Sequence, residues 1–306
     1  MIDIYASAII YMPLHERSKI LKSIINIHKS LEKNFQSYEI ILVNDSGNLI
    51  SNSDQDLLKA RDVKNITILN MAYFHDRENA MLAGTDLSNG DFIFEFDYTI
   101  TNIKITTLVD LYNLSVENDA DIVAFYNQDL ERKTSQLFYW FLKRFGYTED
   151  MTHTECIRMI SRRALNEMLR ERRNFRFRKL LYLKSGFCSL VENNNDIQYT
   201  NNRPNGLRMR LALDILMSVA NIGSSVSKFL SLIFIAFTLL VSIYALVIYF
   251  SDLDVSSGWT TLMLFLGFGF SGIFMILFTM SRTLELLFWE VQKSVPYQIR
   301  DVNKLI

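Results

Sequence analysis

The chain has 306 residues, enough for one sizeable domain and an additional module, and 49% of them are hydrophobic. Its 32 Lys and Arg are balanced by 33 Asp and Glu, a formal net charge of −1, which excludes a broadly basic nucleic-acid binder. Two cysteines, Cys156 and Cys188, are too few for a disulfide scaffold and fit a reducing compartment as plain packing residues.

Residues 5–12 form an apolar run suited to a buried strand, and 18–31 place apolar residues at helical spacing with basic residues between them. A second apolar run, 38–43, ends in the turn formers Asn44, Asp45, Ser46 and Gly47, so the opening reads as a parallel strand–helix–strand unit. Residues 66–69 are a third strand candidate, 77–87 a helix, 92–96 a fourth strand closing in Asp97, 105–117 a helix and 121–125 a fifth strand. This alternation predicts an α/β fold with a doubly wound, mostly parallel sheet. Beyond it, 135–145 reads as an aromatic-rich helix, 160–169 as an arginine-rich helix and 207–221 as an amphipathic helix suited to a membrane interface. Residues 1–10 carry Asp3 and no basic flank, unlike a signal peptide.

The C-terminal third differs in kind. Residues 229–250 and 261–280 contain no charged side chain, and ~20 residues suffice to cross a ~30 Å hydrocarbon core as a helix. Buried core helices are the alternative. Arg203, Arg208, Arg210 and Lys228 precede the first run and Arg282, Lys293, Arg300 and Lys304 follow the second, whereas 251–258 holds Asp252 and Asp254 but no Lys or Arg. Basic residues stay on the cytoplasmic side, so both ends are expected inside and the short connection outside. The expected plan is a cytoplasmic sheet domain over 1–200, an amphipathic interface segment over 201–224, transmembrane helices over 225–251 and 259–281 joined by an external loop over 252–258, and a cytoplasmic tail over 282–306. Gly267 and Ser271 offer a small-residue face that can pack against a second copy.

In doubly wound sheets ligands bind at the carboxyl ends of the strands, which singles out Asp45 and the Glu95-Phe96-Asp97 stretch. Residues two apart in an extended segment share a face, so Glu95 and Asp97 can reach one Mg or Mn ion. Such an ion neutralises a departing diphosphate, though an acidic pair is also ordinary at a solvated strand end. Asp45 can accept hydrogen bonds from a base or ribose; Asn-Asp-Ser-Gly is equally good turn chemistry. Arg132, Lys133 and Ser135, just past the fifth strand, can offer charge-assisted hydrogen bonds to a phosphate. The four histidines show no metal-ligand spacing.

The order of these parts resembles family 2 glycosyltransferases of the polyprenyl-phosphate sugar synthase type, such as dolichyl-phosphate mannose synthases and bactoprenol glucosyltransferases. Residues 38–46 look like the strand ending in the family's Asp-Asp-Gly-Ser, Glu78-Asn79-Ala80-Met81-Leu82-Ala83-Gly84 like its Glu-Ala-Ala-Leu-x-Ala-Gly helix start, and Asn89-Gly90-Asp91 like the turn before its metal strand. Arg132 with Ser135-Gln136-Leu137-Phe138-Tyr139 resembles the acceptor-phosphate segment, and Arg158-Met159-Ile160-Ser161-Arg162-Arg163 the family's Arg-Leu-Met-Ser-Arg-Arg helix; Gly258-Trp259-Thr260-Thr261-Leu262 and Val295-Pro296-Tyr297 are similar to its second span and tail.

The resemblance implies a GT-A fold and inverting, metal-dependent transfer from a nucleotide-sugar, UDP-linked, to a polyprenyl phosphate such as undecaprenyl phosphate. It implies a multi-pass protein of the bacterial inner membrane that serves modification of O-antigen or a similar surface glycan. It further implies Asp97 and Arg132 as catalytic, Pro13, Glu16, Asn44, Asp45 and Glu95 at the donor, Arg132, Lys133, Ser135 and Arg203 at the acceptor phosphate, and Glu95 and Asp97 on the Mg or Mn ion. The chain departs from the family at Glu95 and Asn44, where Asp is usual, in the loop 11–16, and at Cys156, which stands beside Glu155 in place of an Asp. These departures leave a second reading open, a weakened family member acting as a membrane scaffold or partner subunit.

Overall fold

The computed structural model describes residues 1–12, 17–46, 63–130, 153–170, 178–200, 233, 258–291 and 297–305. The chain divides into two units, Met1–Leu211 with Ser294–Ile306, and Ala212–Lys293. The first unit holds strands β1 (Ile2–Met12), β2 (Phe35–Asn44), β3 (Ile66–Met71), β4 (Phe92–Phe96), β5 (Thr99–Asn102), β6 (Ile122–Tyr126), β7 (Glu155–Ser161), β8 (Ser189–Asn193), β9 (Gln198–Thr200) and β10 (Ile299–Leu305). Its helices are α1 (Arg17–Asn34), α2 (Arg77–Leu87), α3 (Thr107–Asn118), α4 (Arg162–Arg170) and α5 (Arg178–Lys184).

The main sheet runs in the order β10-β3-β2-β1-β4-β7-β6-β8, and β5 pairs with β9 in a separate small sheet. The β3–β2, β2–β1, β1–β4 and β6–β8 junctions are parallel. Those of β10 with β3 and of β7 with both β4 and β6 are antiparallel. The sheet is wound on both faces, because side chains alternate along each strand. Ala8, Ile10, Ile40, Leu42, Phe94 and Phe96 join one core with Ile20, Ile24 and Ile27 of α1 and Leu108 and Leu111 of α3. Ile9, Ile41, Val43 and Ile93 join the other with Ala80 and Ala83 of α2 and Ala164 and Leu165 of α4. Two-sided burial is why the central strands read as unbroken apolar runs.

One close approach fixes α2 on its face. A Cβ at Gly84 would lie 2.6 Å from the Cγ2 atoms of both Ile9 and Val43, so only glycine lets this helix sit so near β1 and β2.

Several expectations change. The stretch read as an arginine-rich helix over 160–169 begins as strand: Ile160 and Ser161 end β7, and α4 starts at Arg162. The Arg158-Met159-Ile160 part of the resembled helix is therefore extended, since Cys156, Ile157, Met159 and Ile160 are all buried in the sheet. The sheet is mostly parallel, as expected, with antiparallel junctions where β7 enters between β4 and β6 and where β10 joins β3. The expected tail, 282–306, carries the end of a helix and the whole of β10. The expected helices over 135–145 and 207–221 lie outside the described residues, as does the run 229–250 apart from Ile233.

Apart from Ile233, the described part of the second unit is α6 (Gly258–Val291), 34 residues long, or about 51 Å at 1.5 Å per residue. It exposes large apolar side chains, among them Leu262, Leu266, Phe270, Ile273, Leu277, Met280, Leu284 and Leu287. Among the described residues no helix is long and apolar enough, over its described side chains, to cross a membrane.

Candidate functional site

The carboxyl ends of β1, β2 and β4 meet where Asp45 and Asp97 leave the sheet. Asp45 is fully buried. It accepts from the backbone N–H of His75 at 2.9 Å and of Asp76 at 3.3 Å, and from the Tyr11 hydroxyl at 3.1 Å. Burial, with the charge of Asp76 beside it, pushes its carboxyl up to about 7 against the pull of the His75 N–H and the Tyr11 hydroxyl. Asp45 thus shapes the turn into α2, where Asp76 caps the helix by accepting from the Asn79 N–H at 3.0 Å. Asp76 holds φ at 136°, a region costly for a residue with a Cβ. Asn44, equally buried, donates to Asn70 Oδ1 at 2.6 Å and accepts from the Ser46 hydroxyl at 2.6 Å.

The C-terminal segment reaches the same turn. The Gln298 N–H donates to His75 Nε2 at 2.9 Å, the Ala72 N–H to the Gln298 carbonyl at 3.0 Å, and the Tyr297 hydroxyl to Asp86.

Glu95 and Asp97 lie two apart at the tip of β4 and do share a face, as the spacing predicts. What fills the space between them is an arginine. Arg178, the first residue of α5, donates Nη1 to Glu95 Oε1 at 2.6 Å and Nη2 to Asp97 Oδ1. Glu95 also accepts from the Tyr182 hydroxyl at 2.6 Å and, on Oε2, from Arg158 Nη1 at 2.7 Å. Arg158 reaches it because β7 puts Arg158 directly opposite Glu95 in the ladder.

Around this pair the charges alternate. Arg158 and Lys179 both hold Glu155, Lys179 Nζ at 2.7 Å, while Glu78 faces Arg178 and Arg77, each at 3.5 Å. Burial disfavours the Asp97 carboxylate, yet Arg178, Arg77 and Arg158 outweigh it and hold the group well below its ordinary range. For Glu155 the same burial is overcome by Arg158 and Lys179. A small cleft of about 30 Å³, partly open to solvent, adjoins the cluster, with Arg77, Glu78, Asp97, Glu155, Arg158 and Lys179 on its wall. Arg77 stacks on the Tyr98 ring, 4.4 Å from its centre, and donates to the Asp97 carbonyl at 3.2 Å.

This arrangement does not fit the expected Mg or Mn ion. Glu95 is 1% exposed, and both its oxygens already receive donors, two of them guanidiniums. Among the described residues no three His, Cys, Asp or Glu side chains are placed to hold a metal. Asp97 alone of the expected pair borders the cleft.

Of the residues singled out in the sequence, Asp97 and Glu95 come together, and Asn44 and Asp45 stand at the neighbouring strand end. Pro13, Glu16, Arg132, Lys133, Ser135 and Arg203 lie outside the described residues. Reading the sequence for chemistry missed Arg77, Arg178, Lys179 and Tyr182. Glu78 and Arg158 stood in quoted motifs without a role; that each is a charge inside an apolar pattern was the available signal.

No family model matches the sequence, and no curated protein compared with it matches. Among solved structures, similarity is found to the glucosyl-3-phosphoglycerate synthase of Mycobacterium tuberculosis in complex with phosphoglyceric acid, at 12% identity and a TM-score of 0.48 over 70% of this chain and 79% of that one. A mannosyltransferase from Pyrobaculum calidifontis in complex with GDP-Man and Mn2+ gives 11% identity and a TM-score of 0.47 over 90% and 88%. A CMP:2-keto-3-deoxy-manno-octonic acid synthetase complexed with CTP gives 9% and 0.43 over 68% and 98%. Likeness of this degree assigns neither substrate nor cofactor to this chain.

Proposed function

We propose that the chain is a membrane-bound glycosyltransferase that moves a sugar from a nucleotide-sugar to a polyprenyl phosphate, with the donor diphosphate held in the cleft beside Asp97. The observation that carries this reading is the cleft's position: it opens at the carboxyl end of β4, beside the start of α2, and three cations and three carboxylates line it. Open α/β sheets place their ligands there. Arg77, Arg158 and Lys179 on its wall can offer charge-assisted hydrogen bonds to a diphosphate.

The chemistry asks little of the protein beyond placement. A phosphate oxygen of the lipid attacks the anomeric carbon as the bond from that carbon to the nucleoside diphosphate breaks, so configuration inverts and the diphosphate leaves with the electron pair. The lipid phosphate is already an anion and needs no base. Arg77 and Lys179 are placed to meet the negative charge that grows on the leaving group. Arg132, Lys133, Ser135 and Arg203 are assigned to the acceptor phosphate on the sequence resemblance alone.

Membrane attachment is read from the two uncharged runs, 229–250 and 261–280, and the connectivity is compatible with two crossings. The segments before and after the second unit both belong to the first, and β10 pairs with β3. A chain that leaves and rejoins one body crosses a bilayer an even number of times, in keeping with two uncharged runs. The basic flanks put both ends in the cytoplasm of a bacterial inner membrane, and the exposed apolar side chains of α6 suit a lipid surround.

Purified full-length protein in detergent, given undecaprenyl phosphate and a panel of UDP- and GDP-sugars, should release nucleoside diphosphate with at least one donor and yield the matching lipid-linked sugar by mass spectrometry. Asp97→Asn should abolish that turnover. Silence with every donor would leave the second reading, a membrane scaffold or partner subunit, which one observation favours: the Glu95 carboxylate is sealed by Arg158, Arg178 and Tyr182.

A further inference from the structure

We propose that this site carries its own cation in place of a divalent ion. Arg178 fills the ion's position between Glu95 and Asp97, Arg77 faces the anion in the cleft, and a nucleoside diphosphate binds here without metal. The inference rests on the nucleotide-sugar reading and specifies how that donor is held.

An ion shared by two carboxylates must touch one oxygen of each, and Arg178 does so through the two ends of one guanidinium, Nη1 on Glu95 and Nη2 on Asp97. The fork suits carboxylates because its donors are fixed in one plane. Its backbone is held too: the Arg178 N–H donates to Glu78 Oε2 at 3.3 Å, and the residue is 1% exposed. The remaining oxygen of Glu95 belongs to Arg158 at 2.7 Å. Seating a divalent ion would therefore mean withdrawing one buried guanidinium and crowding a second.

Charge balance points the same way. Glu78, Glu95, Asp97 and Glu155 are paired with Arg77, Arg158, Arg178 and Lys179, four carboxylates against four cations. A divalent ion added to this set would be uncompensated. The cleft wall itself carries three of these cations, Arg77, Arg158 and Lys179, beside three of the carboxylates, Glu78, Asp97 and Glu155.

Arg77 offers the anion a donor. Its Nε is buried and has no hydrogen-bond partner among the described residues, although the side chain is otherwise fixed by the Tyr98 ring and the Asp97 carbonyl. A buried N–H left unmade is costly, and Arg77 lies on the cleft wall. A phosphate oxygen is the acceptor that such a donor lacks.

The test uses the full chain in detergent micelles with UDP and GDP as probes, titrated calorimetrically in EDTA and again in MnCl2, with free Mn2+ followed by electron paramagnetic resonance. At least one nucleotide should bind with affinities within about threefold in the two media, the Mn2+ signal should stay that of the free ion, and Arg77→Met should weaken binding in EDTA about tenfold. Arg178→Ala should create Mn2+ binding that the wild type lacks; should that variant fail to fold, the wild-type and Arg77→Met measurements decide alone. Nucleotide binding that requires Mn2+, stoichiometric Mn2+ uptake by the wild type that Asp97→Asn removes, or unchanged affinity in Arg77→Met would overturn the inference while leaving the nucleotide-sugar reading in place. Failure of both nucleotides to bind in either medium would bring down that reading, and this inference with it.

Discussion

Glu95 and Arg158 face each other across the antiparallel β4–β7 ladder, joined at 2.7 Å with side chains 0% and 6% exposed. Removing one partner from such a pair leaves a buried charge, whereas replacing both with apolar groups can be nearly neutral. Glu95→Leu should therefore cost about 3–5 kcal/mol. Glu95→Leu with Arg158→Met should be more stable than the sum of the single losses, with a coupling of about 0.5–3 kcal/mol. Thermal unfolding of the purified full chain measures both, and strictly additive losses would contradict the pairing.

The pH dependence should have two opposed parts. Asp97 and Glu155 are held below their ordinary range, Asp97 by Arg178, Arg77 and Arg158 and Glu155 by Arg158 and Lys179, all against burial. Their stabilisation is present above the ordinary carboxylate range and is lost as the pH falls through their lowered values. Asp45 behaves inversely: burial raises its carboxyl to about 7, so its contribution is complete below the ordinary value near 3.8 and is lost as the pH rises to about 7. Asp45→Asn should flatten the decline in melting temperature between those limits. An identical slope in the variant would refute the assignment.

Gly84→Ala tests the seat of α2. Alanine favours the helix by about 1 kcal/mol, but its methyl would sit 2.6 Å from two β-branched side chains on neighbouring strands. Overpacking of that kind costs about 1–3 kcal/mol, so the variant should be destabilised on balance. An unchanged or raised melting temperature would show that β1 and β2 yield more easily than their packing suggests.

Topology can be read with thiol chemistry. Cys188 is exposed and Cys156 is buried, where burial pushes its thiol up to about 12. In intact spheroplasts an impermeant maleimide should leave Cys188 unmodified until the membrane is opened, whereas Ser256→Cys in the short connection should react at once. Labelling of Cys188 in intact cells would reverse the proposed orientation.

How much of this was legible follows from burial. β1, β2 and β4 announced themselves because both faces are covered, and an unbroken apolar run is hard to mistake in a chain of this class. β7 hid because Arg158 and its flanking Arg162 and Arg163 resemble a helix surface. A buried arginine in a strand makes sense only once Glu95 is known to stand opposite. β10 hid for the opposite reason: an edge strand with most residues exposed, Ile-Arg-Asp-Val-Asn-Lys-Leu, has little apolar alternation to detect. Asp45, Glu95 and Asp97 were singled out from their places at strand ends. Arg178, 83 residues beyond Glu95 in sequence, could not be, because local spacing says nothing of which distant side chain answers a charge.

The pairing of β10 with β3 gives this protein an unusual biosynthetic order. Until Leu305 has left the ribosome, the edge of β3 that β10 pairs with must wait with its amide and carbonyl groups unanswered while the whole second unit is made. Such a bare rim recruits other chains. The nascent protein therefore passes through an aggregation-prone stage that lasts until β10 is laid down.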